Sequence, residues 1–99
     1  MGAGLIRLSP QVNAYVKTLP PDTRRKVRDA LRDLEQGRGE IDPLQRELEG
    51  YHRLKLPPRR VILRYQETSQ GPECYCAFME MRDVVYEQFA AILSEQGHL

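Results

Sequence analysis

The chain has 99 residues, enough for one domain over residues 1–99 whose core hides on the order of 65% of the unfolded chain's surface. With 40% hydrophobic and 29% charged residues, and no apolar run near the ~20 residues that a bilayer span needs, the composition argues against a helical membrane anchor; Met1 to Leu8 is too short an apolar stretch for a signal peptide, so a cytoplasmic protein is expected. A formal net charge of +1 argues against a uniformly basic nucleic-acid binder, and any electropositive face must be local: acids concentrate from Asp22 to Glu49 and in the tail, whereas Tyr51 to Tyr65 holds five Arg or Lys and no acid.

Leu5 to Leu8 reads as a short strand, with Ser9 as N-cap and Pro10 at the first position of a helix. Val12, Tyr15, Val16 and Leu19 fall at i, i+3, i+4 and i+7, one apolar stripe. Pro20 and Pro21 break the chain, because the residue before a proline is pushed out of the α region. A second helix follows, with Asp22 in its first turn and Val27, Ala30, Leu31 and Leu34 on its apolar face. Arg25, Arg28, Asp29, Arg32 and Asp33 form a solvated face on which Arg25 and Asp29 are spaced for an i to i+4 pair. Gly37 and Gly39 end this helix, and the two helices make a hairpin with a continuous apolar seam.

Ile41 to Glu49 reads as a polar connection anchored by Leu44 and Leu48, with Glu47 and Glu49 as loop charges near the strand that follows. From Gly50 to Tyr65 residue types alternate on both sides of Pro57 and Pro58, which mark a strand–turn–strand hairpin. A two-residue loop sets Leu56 opposite Arg59, Lys55 opposite Arg60, Arg53 opposite Ile62 and Tyr51 opposite Arg64. Tyr51, Arg53, Lys55, Arg60, Ile62 and Arg64 then point one way, and His52, Leu54, Leu56, Val61, Leu63 and Tyr65 point to the core. Opposed cations repel, so this face either awaits an anion or keeps a half-exposed sheet soluble.

Thr68 to Pro72 is a turn, and Glu73 to Met81, rich in Cys, Tyr, Phe and Met with weak alternation, reads as a central strand covered on both faces. Cys74 and Cys76 share one face of it and read as small hydrophobes; with only His52 and His98 as histidines, a four-ligand metal site would have to be improvised. Arg82 and Asp83 end the strand. A last helix carries Val85, Phe89 and Ile92 on one stripe and Tyr86, Ala90 and Leu93 on the next. The expected fold is α+β: an antiparallel meander of three strands, packed by one face on the N-terminal helical hairpin, with a C-terminal helix and the cations on the other face.

In this order and spacing the sequence resembles the RelE/ParE superfamily of bacterial toxins from type II toxin–antitoxin systems, over nearly the whole chain. The resemblance rests on the opening strand and helical hairpin with Leu19 and Pro20 before its second helix, and on Leu48, Glu49 and Gly50 before the basic strand through Lys55. It continues through the arginine-led strand Arg60 to Tyr65 and the late pair Arg82 and Tyr86. Three departures are Arg82 and Tyr86 standing only four apart, Met81 before Arg82 where relatives often carry a His or Lys, and Arg53 where the type member has Lys.

The resemblance implies the RelE-like microbial RNase fold and, for the RelE-like branch, a ribosome-dependent, metal-independent endoribonuclease that cuts mRNA in the 30S A site. It implies no cofactor and a cognate antitoxin as partner. Arg53 and Lys55 match the two basic positions of the family's catalytic strand, Arg60 its phosphate-stabilising arginine, and Arg82 and Tyr86 its late arginine and tyrosine; Tyr51 and Arg64, on the same face, are expected to touch RNA. The chemistry suits the set, because attack of a 2′-hydroxyl on its phosphate needs a base, positive charge for the phosphorane and a proton for the leaving oxygen. The ParE-like alternative is a toxin that binds and poisons DNA gyrase without chemistry of its own, for which one cationic face is superfluous.

Overall fold

The computed structural model describes residues 5–97, so His98 and the first four residues of the amino-terminal stretch lie outside it. The elements run β1 (Leu5–Leu8), α1 (Pro10–Lys17), α2 (Pro21–Glu35), β2 (Ile41–Pro43), a 3₁₀ turn (Arg46–Leu48), β3 (His52–Leu56), β4 (Arg59–Thr68), β5 (Gly71–Met81) and α3 (Val85–Glu95). The strands form one sheet in the order β1-β5-β4-β3-β2. No helix among the described residues is long and apolar enough to cross a membrane.

Local chemistry sets the helix ends. Ser9 Oγ accepts from the Val12 N–H at 3.1 Å and donates to the Ala77 carbonyl at 2.8 Å, so one buried hydroxyl caps α1 and ties it to β5. Pro10 occupies the first turn, where no N–H is needed. α2 ends at Gly37, whose φ of 79° lets its N–H return to the Leu34 carbonyl at 3.0 Å. On its solvated face Arg25 approaches Asp22 at 4.0 Å and Asp29 approaches Arg32 at 3.6 Å, each three residues apart; the expected Arg25–Asp29 pair does not form, since each acid has a nearer partner.

The β3–β4 hairpin turns at Pro57 and Pro58 in the register read from the sequence, with Lys55 opposite Arg60 and Arg53 opposite Ile62. Leu54, Val61 and Leu63 face α1 and α2, whose Val12, Val16, Val27, Leu31 and Leu34 complete the larger core. Each such side chain, taken fully out of water, contributes roughly 1.5–3 kcal/mol. His52 and Tyr65 lie on this side too, but at its margin: their rings meet edge to face at 5.2 Å and Tyr65 is exposed.

Three expectations need correction. Ile41–Pro43 is a strand, β2, antiparallel to β3, within what reads as a polar connection; Pro43 is tolerated because β2 is the sheet edge. The sheet is not a pure meander, because β1 returns to pair in parallel with β5, from Leu5 opposite Glu73 to Leu8 opposite Cys76. The face away from α1 and α2 also carries more than cations: α3 buries a second core there, in which Val85, Phe89 and Leu93 pack on Ile62, Phe78 and Leu48, with Tyr51 and Leu44 at its edge.

A β-bulge explains both that second core and the weak alternation of β5. Ile62 pairs with Phe78 and Leu63 with Cys76, leaving Ala77 without a partner on β4. The extra residue shifts parity, so Met79, Cys76 and Cys74 all reach the first core while Phe78 and Ala77 both face α3.

Candidate active site

β3 turns Arg53 and Lys55 away from α1 and α2, and β2 places Asp42 directly opposite Arg53. Asp42 Oδ2 lies 3.4 Å from Arg53 Nε and 3.5 Å from Lys55 Nζ, so one carboxylate bridges both cations; the Arg53 and Lys55 side chains are each one-third exposed. The first turn of α3 completes this group, where Arg53 Nη1 donates to the Tyr86 hydroxyl at 3.4 Å. The hydrogen bond to Tyr86, with the neighbouring Asp42 carboxylate, pushes the Arg53 pKa above its ordinary value despite partial desolvation. Tyr86 is half-buried against the second core, so its ring is fixed while its hydroxyl is engaged.

Arg60 continues the row. It stands opposite Lys55 on β4, is 9% exposed, and donates from Nη1 to the Arg59 carbonyl at 3.3 Å, while its buried Nε has no partner among the described residues. It opens into a pocket of about 290 Å³ that Arg82 shares, walled by Pro57, Pro58, Met81 and Asp83. The Arg82 N–H donates to the Pro58 carbonyl at 2.9 Å, which pins the end of β5 to the hairpin tip, and its guanidinium stays exposed at 3.7 Å from Asp83. A guanidinium that is buried, oriented and short of acceptors, beside a second one that is exposed, is an arrangement suited to phosphate oxygens.

The structure thus brings Arg53 and Lys55 together on Asp42, with Tyr86 bonded to Arg53, and sets Arg60 and Arg82 in an adjoining pocket. Tyr51 and Arg64 stand elsewhere: Tyr51 packs edge to face on Phe89 at 5.0 Å under α3, and Arg64 lies over the Tyr75 ring at 5.6 Å. Both line a separate cleft. Glu47 and Glu49 are exposed on the loop and pair with no cation among the described residues. The residue that sequence reasoning missed is Asp42, hidden in a strand of three residues. Its only signal was position, one acid in an apolar-flanked segment just before the basic strand.

Among the described residues, no three His, Cys, Asp or Glu side chains come together as a metal site would need. Cys74 and Cys76 are unlinked and buried in the first core; the Cys76 thiol, beside Cys74 and desolvated, is held well above its usual range.

No protein-family model matches the chain, and no curated protein does. Solved structures do. The YoeB/ParE toxin from Agrobacterium tumefaciens superposes with a TM-score of 0.65 at 14% identity, over 79% of this chain and 98% of its own. The RelBE2 toxin–antitoxin complex from Mycobacterium tuberculosis gives 0.63 at 21% identity, over 81% of this chain and 99% of its own. A RelB–RelE antitoxin–toxin complex from Methanococcus jannaschii gives 0.55 at 12% identity, over 86% and 98%. The chain has the fold shared by these toxins of the RelE/ParE superfamily.

Proposed function

We propose that this chain, with its RelE/ParE-type fold, is the toxin of a type II toxin–antitoxin system: an endoribonuclease, independent of metal, that cuts mRNA in the A site of the translating ribosome and is silenced by a cognate antitoxin. The observation that carries this reading is the pairing of Arg53 and Lys55 with Asp42, with Tyr86 bonded to Arg53, beside a pocket shared by Arg60 and Arg82. The antitoxin is supported by the two solved relatives that are themselves toxin–antitoxin complexes.

In the proposed reaction a 2′-oxygen attacks the neighbouring phosphorus, its proton passes to a base, and the P–O5′ bond breaks as the leaving oxygen takes a proton. A 2′,3′-cyclic phosphate and a 5′-hydroxyl remain. In this reaction the neutral amine of Lys55 receives the 2′ proton, Arg53 and Arg60 balance charge on the phosphorane, and Arg82 stabilises the leaving oxygen. Tyr86 fixes Arg53 from one side and offers a ring on which a base stacks. Asp42 occupies the phosphate's position electrically until RNA arrives, which resolves the repulsion that a purely cationic face would suffer.

The test is a cell-free translation system programmed with a reporter mRNA. Under this reading the purified chain abolishes translation and fragments the message only when ribosomes are translating. Intact message alongside inhibition of gyrase supercoiling would replace it with the binding alternative.

A further inference from the structure

We infer that the cleft on the far side of α3 is a second RNA site, one that receives a single unstacked nucleotide. The inference rests on the nuclease reading for its ligand class and on different residues for its geometry. Arg7, Tyr75 and Arg64 are register partners across β1, β5 and β4, so they form one row on the α3 face of the sheet. The Arg7 guanidinium lies 4.7 Å and that of Arg64 5.6 Å from the Tyr75 ring centre. Tyr75 and Arg64 of this row wall a cleft of about 380 Å³, within the ~300–1,000 Å³ typical of small-ligand sites. Phe78 and Phe89 lie at its apolar base, Ile92 and Gln96 of α3 form the opposite wall, and the first turn of α1 closes one end.

Its unused chemistry identifies the ligand. Among the described residues, no carboxylate lines the cleft. Ser9 and Gln11, also at its edge, already spend their side chains on the Ala77 and Met79 backbone. Arg7 is held by Glu73 at 3.0 Å. Arg64 has no acidic partner among the described residues, and neither the Tyr51 and Tyr75 hydroxyls nor the Gln96 amide makes a hydrogen bond there. An exposed guanidinium, two phenols and an amide around an apolar floor suit a base that stacks and is bonded on its edge, with the neighbouring phosphate on Arg64. An acidic peptide would find only one free cation, and an apolar ligand would leave these polar groups unpaired. Tyr51 and Arg64, which stand apart from the other cations, thereby share one role.

Fluorescence anisotropy with a short 2′-O-methyl oligoribonucleotide, which cannot be cut, tests this without requiring cleavage. It is read in the Lys55→Ala background and then with Arg64→Gln or Tyr75→Leu added. Arg64 is exposed, so its variant keeps the fold even if Tyr75→Leu does not. Roughly tenfold weaker binding is expected for either, with the salt slope of the Arg64 variant shallower by about 0.7. The same comparison with ribosomal small subunits stripped of mRNA separates sources: loss on the oligonucleotide assigns the nucleotide to the message, and loss only on the subunit assigns it to ribosomal RNA. Unchanged affinity for both overturns the inference. Weaker oligonucleotide binding on adding Arg64→Gln sustains the inference even where the wild-type chain cuts no message, so the two readings fail separately.

Discussion

Replacing Asp42 by Asn should move stability and RNA affinity in opposite directions. The substitution keeps the shape and removes a carboxylate that lies 3.4 Å from Arg53 Nε and 3.5 Å from Lys55 Nζ. Both partners are one-third exposed and Asp42 is 45% exposed, so each pair contributes at the modest level of surface ion pairs. The two together amount to about 1 kcal/mol. Urea unfolding should show that loss as a lower midpoint at unchanged slope, because Arg53, Lys55 and Arg60 then repel without an internal counter-charge. RNA phosphate competes with Asp42 for the same two cations, so the same ~1 kcal/mol should return as roughly fivefold tighter binding. Because one more counterion is released from single-stranded RNA, the salt slope should steepen by about 0.7. The anisotropy titration with a 2′-O-methyl oligoribonucleotide at two salt concentrations reads both quantities. Weaker RNA binding, or an unchanged salt slope, would refute the view that Asp42 stands in for phosphate.

Other consequences are open to direct measurement. Gln66 and then Arg7, at 2.6 and 3.0 Å, hold the Glu73 carboxyl below the usual carboxylate range; its contribution is therefore full above the unfolded value near pH ~4.3 and is lost as pH falls through the lower folded value. Urea midpoints should consequently fall less between pH 6 and pH 3 in Glu73→Gln than in wild type, and parallel curves would contradict the assignment. Gly39→Ala should cost roughly 1–3 kcal/mol of unfolding free energy, since its φ is 129° and a Cβ would stand 3.2 Å from Leu54 Cδ1; an unchanged urea midpoint would deny that strain. Cys76, buried and with its thiol held well above the usual range by Cys74 and desolvation, should react with Ellman's reagent only on unfolding. Rapid labelling of the native protein at neutral pH would contradict that packing.

What the sequence made legible was whatever is set by short-range pattern. The Ser9–Pro10 helix start, the Val27/Leu31/Leu34 face and the register of the β3–β4 hairpin all follow from periodicity and turn chemistry, and all are present. The parallel return of β1 onto β5 was not legible, because no local pattern encodes which distant edge a four-residue strand joins. The bulge at Ala77 disguised β5: Cys74, Cys76 and Met79 share a face that strict alternation would divide. That shift also hid the second core, at whose edge Tyr51 packs on Phe89. Within the candidate site, residue types on one strand identified Arg53 and Lys55, whereas Asp42 reaches them only through the pairing of a three-residue edge strand. Of the closely spaced pair, Arg82 lies on the turn against Pro58, and Tyr86, in the first turn of α3, reaches Arg53.

The most direct test of the account is primer extension on a defined mRNA carried by translating ribosomes, comparing the wild-type chain with Lys55→Ala and Arg82→Ala. Cleavage at a codon in the A site by the wild type, lost or greatly reduced in both folded variants, is the predicted result. Undamaged mRNA from a folded wild-type chain that still arrests growth would contradict the nuclease and direct attention to gyrase.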